Sequence, residues 1–370
     1  MGGISLQRGY YHCEHCRGGH VPWDETLGLS PQRLTPAAQE VTSLAGIQES
    51  FGKAAERTLL KLAGIRICES TVERTTEASG QRLGTLLHQG VVFGEKRTWA
   101  WNRDRQGKSC AYLSLDFTGI LMQGPGGCKV DGRMVGVGMI YNPQPRSPDE
   151  EALSKPCDGV RYLAGLYSLE ELGLQMRRQG AHVGMDDAEQ WIALTDGGNG
   201  LEEFIDVNFP RAAKILDFQH AAGHLASLAR VLRPEKGAEK LLSAWCHTLK
   251  HAGGARLVKV LQKLDQKKMT DDARAEYKRV LNYITGNVQR MDYPSYLRRG
   301  WQIATGAIES ACKTVVINAF AWEACAGAKK VPTPSLTCVL YTEATRTNGT
   351  RSGETRPSRY LQIRRLPRTR

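Results

Sequence analysis

The chain has 370 residues, enough for two or three domains with a sizeable core, and its 41% apolar and 24% charged content is that of a globular protein. Fifty Lys and Arg against 38 Asp and Glu leave a formal charge of +12, which favours a polyanionic partner, nucleic acid or an anionic membrane. No run approaches the ~18 apolar residues of a membrane span. The first nine residues lack the apolar stretch of a signal peptide, and the scattered cysteines suit a reducing cytoplasm better than a disulfide framework.

Residues 1–30 carry one Cys-x-x-Cys knuckle, Cys13 and Cys16, with His12, His15 and His20 nearby. Two thiolates at this spacing can approach one Zn²⁺, and the glycines after Cys16 permit the turn. Tetrahedral zinc needs two further ligands, from those histidines or from a pair upstream of Met1. The alternative is two reduced cysteines on a turn.

Residues 31–88 read as helices. Pro36 suits a first helical turn. Apolar residues recur at three and four spacing from Ala37 to Leu44 and from Phe51 to Leu62, and Gly64 ends the second helix. Ser70, with Glu73 three residues on, reads as a capping box opening a polar helix that carries Arg74 and Arg82. This unit is helix-turn-helix-like and assigns Arg74 and Arg82 to DNA. A plain packing bundle has the same pattern. Residues 89–108 read as a basic linker, with Trp99 and Trp101 either on a DNA backbone or tucked into the following domain.

From Ser109 the pattern turns to strands: Ala111 to Asp116, Met134 to Tyr141 and Val160 to Tyr167. A helix follows from Ser168 to Gln179, with Ser168 as N-cap. Then come a strand from Ile192 to Asp196, a helix from Leu201 to Phe209 and a strand from Ala213 to Phe218. This order predicts an α/β fold with a mixed sheet covered by helices. It is the ribonuclease H-like arrangement, in which the first acid lies on the first strand and the second at the end of the fourth. Residues 109–316 form that domain, with a lysine-rich helical insertion at about 226–296.

Three carboxylates carry the chemistry. Asp116 and Asp196 end strands, and Glu309 follows Gly306 on an expected helix. Two Asp and one Glu converging from two strands and a helix would hold two Mg²⁺ roughly 3.5–4 Å apart for phosphoryl transfer. Taken singly, each acid is an ordinary strand-end or turn residue. Asp217, His220 and His224 follow the fifth strand at helical spacing. They form either a metal-binding face or, as the preferred reading, a hydrogen-bonded network bracing the helix start. Arg298 and Arg299, before the Glu309 helix, are placed for phosphates, and Lys313 lies one turn beyond Glu309.

Together these pieces resemble bacterial insertion-sequence transposases of the Kra type, in the Asp-Asp-Glu ribonuclease H-like superfamily. The matching segments are Tyr11-His12-Cys13-x-x-Cys16 with Pro22-x-Asp24-x-x-Leu27-Gly28, Leu62-Ala63-Gly64 with Ser70-Thr71-Val72-Glu73-Arg74, and Ser114-Leu115-Asp116-x-Thr118-Gly119. They continue with Thr195-Asp196-Gly197, Asp217-Phe218-x-His220-Ala221-x-x-His224-Leu225 and Gly306-Ala307-Ile308-Glu309-Ser310-Ala311-Cys312-Lys313. The resemblance implies Asp116, Asp196 and Glu309 as catalytic residues and metal ligands, Asp217 and His220 as support, and Mg²⁺ or Mn²⁺ as cofactor. It also implies transposon ends and target DNA as substrates, cleavage followed by strand transfer, and a homo-oligomer working on DNA. A nuclease on the same fold and a non-catalytic DNA-binding protein are the rival readings.

The likeness stops after Val316. Residues 317–370 contain no Asp, are rich in Thr and Arg, and lack helical periodicity. They read as the product of a frameshift near residue 317, which would replace the native C-terminus with a disordered tail and leave the enzyme inactive.

Overall fold

The structure, a computed structural model, describes residues 4–94, 96–123, 129–146, 153, 155–198, 200–233, 237–306 and 308. Glu309, Lys313 and the whole 317–370 segment lie outside the described residues.

The N-terminal knuckle is a short hairpin of β1 (Tyr11–His12) and β2 (Gly19–His20), followed by α1 (Pro22–Leu27). Three helical segments come next. Pro36 and the Thr35 cap open α2 (Pro36–Gln48). Helix α3 starts at Phe51–Lys53, continues as π-type turns over Ala54–Ala63 and ends at Gly64. Helix α4 spans Glu69–His88. Phe51, Ala54, Leu59 and Val72 form the small core of this unit. The capping box expected at Ser70 is not formed. The helix starts two residues earlier, Cys68 occupies the cap position, and its thiol contacts the Ser70 and Thr71 hydroxyls at 3.3 and 3.2 Å.

The main body is a mixed α/β layer. Strands β3 (Cys110–Gln123), β4 (Lys129–Pro143), β5 (Cys157–Gly165), β6 (Gln190–Thr195) and β7 (Ala212–Leu216) form one sheet in the order β5-β4-β3-β6-β7. The first three are antiparallel neighbours, whereas β3, β6 and β7 run parallel. The first strand does not end at Asp116 as expected. It runs on to Gln123, because β4 pairs with it along that whole length, whereas pairing to β6 stops at Leu115.

The period of two along each strand divides the side chains between two cores. Ala111, Leu113, Leu115 and Ala193 face α5 (Leu169–His182) and α6 (Leu201–Asn208). Tyr112, Ile192, Leu194 and Ile215 face α7 (Phe218–Leu232), α8 (Ala238–Leu261) and α9 (Asp271–Gly286). Ser168 caps α5 with a full capping box to Glu171. Trp99 and Trp101 pack on the first core, where the Trp101 indole N–H donates to the Gly184 carbonyl (2.8 Å). Among the described residues no helix is long and apolar enough to cross a membrane.

After α10 (Tyr293–Arg299) the chain returns to the sheet as a buried extended stretch, residues 301–305. Helix α8 bends at Gly253 (φ 77°, ψ 174°), a conformation essentially reserved for glycine. A Cβ there would sit 3.3 Å from the Met291 carbonyl oxygen. Gly253→Ala should therefore lower unfolding stability by about 1–3 kcal/mol, read as a reduced urea midpoint at unchanged slope.

Candidate active site

Parallel pairing places Leu115 beside Thr195 and Thr195 beside Leu216. One residue further along each chain stand Asp116, Asp196 and Asp217. Three aspartates thus form a row across the ends of β6 and β7 and the middle of β3, where neighbouring strands lie about 4.8 Å apart. Asp116 follows Tyr112 and Ser114 on alternate positions, and Asp196 follows Ile192 and Leu194. Both acids therefore fall on the face covered by α7, α8 and α9.

The three carboxylates differ in what they do. Asp116 and Asp196 are half-buried. Asp116 Oδ1 accepts from the Phe117 N–H (2.7 Å), and Asp196 Oδ1 accepts from the Gly198 N–H (2.8 Å). Asp217 is 1% exposed. Its Oδ1 caps α7 by accepting from the Gln219 and His220 N–H groups (2.6 and 3.1 Å). Its Oδ2 accepts from the Thr305 N–H (2.6 Å) and from the Thr305 hydroxyl. Asp217 is thus committed to protein donors and fastens the segment leading to Glu309. Ile308, one residue before that glutamate, is 2% exposed within the same core.

The turn after Asp196 is built against the helical insertion. Gly197 has φ 82°, and a Cβ there would lie 2.6 Å from Leu216 and 3.2 Å from Asn287 Oδ1. The Tyr283 hydroxyl donates to the Asp196 carbonyl oxygen (2.7 Å). The buried Arg290 guanidinium donates to Thr195 Oγ1 (3.3 Å) and to Asn287 Oδ1. Sequence alone did not single out Tyr283, Arg290 or Thr305. Only Thr305 carried a legible signal, as a cap-type residue just before the Glu309 helix.

The two histidines part company. His220 contributes its backbone N–H to the Asp217 cap. His224 does not brace the helix start as expected. Its Nδ1 accepts from Arg279 (3.1 Å) and its ring packs on Tyr283 with centroids 3.9 Å apart. Burial, and then the Arg279 charge, push its pKa below the ordinary value. The Arg279 hydrogen bonds and that of Ser227 pull Glu276 down to about 2.

The remaining expected residues are scattered. Arg74 and Arg82 are exposed on α4, with Arg74 Nε donating to its own helix at the Ser70 carbonyl (2.9 Å). Arg298 is exposed, and Arg299 lies over the Trp301 ring at 4.8 Å. In the knuckle, the Cys16 N–H donates to Cys13 Sγ (3.5 Å), which lowers the Cys13 thiol pKa. Both cysteines are exposed.

For a hard divalent cation the donor chemistry fits: Asp116 on β3 and Asp196 just past the end of β6 are half-buried oxygen donors. Among the described residues no group of three or more His, Cys, Asp or Glu side chains comes together to hold a metal ion. No protein-family model matches the chain, and no curated protein matches it.

Asp217→Ala would leave two helix-end N–H groups and both Thr305 donors without their acceptor. The expected loss is about 3 kcal/mol or more, measured by urea unfolding. Loss of less than about 1 kcal/mol would show that the clamp is not formed.

Proposed function

We propose that this chain is a DNA transposase of the insertion-sequence type, on a ribonuclease H-like sheet, similar to the Kra-type enzymes. The strand order β5-β4-β3-β6-β7, with three antiparallel strands followed by two parallel ones, supports the fold reading. The observation that carries the function is that Asp116 and Asp196 each follow directly on the last parallel pair of β3 and β6, Leu115 with Thr195. The Asp217 clamp on Thr305 supports the assignment of Glu309 as the third acid, because it ties the chain four residues upstream of that glutamate to the same row.

In this reading Asp116, Asp196 and Glu309 hold Mg²⁺ or Mn²⁺. Bound divalent cations supply charge neutralisation and polarise the attacking and leaving oxygens of a phosphodiester. The protein's own part is positional. The sheet fixes the separation of the two aspartates. The exposed Gly198, next to the Asp196 carboxylate, leaves room for a DNA backbone. Arg298 at the end of α10 and the exposed arginines of α4 offer phosphate contacts. The net charge of +12 favours the same polyanionic partner.

The test is cleavage and joining of duplex DNA carrying the element's ends, with Mg²⁺ or Mn²⁺. Asp116→Asn should cut cleavage by about a thousandfold or more while DNA binding persists, since several kcal/mol of charge stabilisation are lost. Cleavage unaffected by Asp116→Asn would contradict the reading. Cutting without joining would favour a nuclease. Binding without any cleavage, rescued when the alternate frame past residue 316 is restored in the gene, would mark an inactivated transposase. Without such rescue it would mark a DNA-binding protein.

A further inference from the structure

Asp196 is the first residue past the end of β6, on a turn whose next two residues are glycines. The last sheet bond before it runs from the Asp217 N–H to the Thr195 carbonyl (2.8 Å). Gly197 and Gly198 then provide no side chains. What fixes the Asp196 peptide is a donor from another element, the Tyr283 hydroxyl on α9. We infer that Tyr283 is a positioning residue for Asp196, steadied by a His224 ring whose tautomer Arg279 sets. This inference rests on Asp196 being a cation ligand.

The chain of contacts has a direction. Glu276 grips Arg279 through two hydrogen bonds, to Nε (2.8 Å) and Nη2 (2.6 Å). Ser227 accepts from the same Nη2 (3.2 Å), and Nη1 points at His224 (3.1 Å). Arg279 is therefore used up by protein partners, with its charge matched by Glu276. A guanidinium can only donate, so His224 Nδ1 must be the acceptor and the ring proton sits on Nε2. That neutral ring packs on the Tyr283 ring and limits where the phenol can swing. The Asp196 carbonyl oxygen can only accept, so the phenol is the donor of this bond. The result is a rigid support for a ligand on a glycine turn, the kind of outer contact whose loss weakens a metal site.

Tyr283→Phe removes the hydroxyl and keeps the ring. In the full-length chain, Mn²⁺ binding followed by electron paramagnetic resonance of the free ion should show a dissociation constant raised about tenfold. The melting temperature should move by only a few degrees. Glu276→Gln, which loosens Arg279 but leaves the phenol in place, should raise the dissociation constant in the same direction. It decides the matter if Tyr283→Phe does not fold. Wild-type Mn²⁺ binding that is lost in Asp116→Asn but unchanged in both support variants would overturn this inference alone. Absence of any Asp116-dependent binding in the wild type would overturn it together with the proposed function.

Discussion

One buried carboxylate organises the end of the sheet at which Asp116 and Asp196 stand. Asp217 takes two donors from the start of α7 and two from Thr305, 88 residues away in sequence. Burying a polar group is costly unless it is hydrogen-bonded, and here four donors surround the carboxyl. The same side chain therefore ends β7, starts α7 and fastens the returning chain. Without it, Thr305 would lose the acceptor of both its N–H and its hydroxyl, and the segment would keep at this sheet end the bond from the Phe218 N–H to the Ile303 carbonyl.

The helical insertion is a structural partner of the row rather than an ornament on it. Helix α9 reaches the second acid through Tyr283, and the turn after α9 places Arg290 under Thr195. Glycine at 197 is what permits this closeness, because the turn lies against Leu216 and Asn287 with no space for a side chain. The sheet sets where Asp116 and Asp196 stand, and the insertion sets how firmly the second of them is held.

Much of the body was legible from the chain. The alternation from Ala111 onward gave the strands, and the order of strands and helices gave a mixed sheet covered by helices, because period-two and period-3.6 patterns survive local reading. Ser168 was legible as a cap because its capping box is local. Ser70 offered the same local pattern, yet the helix starts at Glu69 behind Cys68, so motif chemistry alone did not decide the boundary. The length of β3 past Asp116 depends on β4, a partner that no local window contains. The support around the site was the least legible. Arg279 with His224, and Tyr283 with Asp196, are contacts across 55 and 87 positions, and nothing in the local sequence marks them. Asp217 was singled out with its histidines, but its link to Thr305 is a tertiary fact.

The most direct test of the central claim, that distant acids gather around shared divalent cations, is a crystal structure grown with Mn²⁺ and read by anomalous scattering. The expected result is two Mn²⁺ peaks roughly 3.5–4 Å apart, bounded by the carboxylates of Asp116, Asp196 and Glu309. A folded chain with no peak between Asp116 and Asp196, or with Glu309 beyond reach of an ion held there, would contradict it.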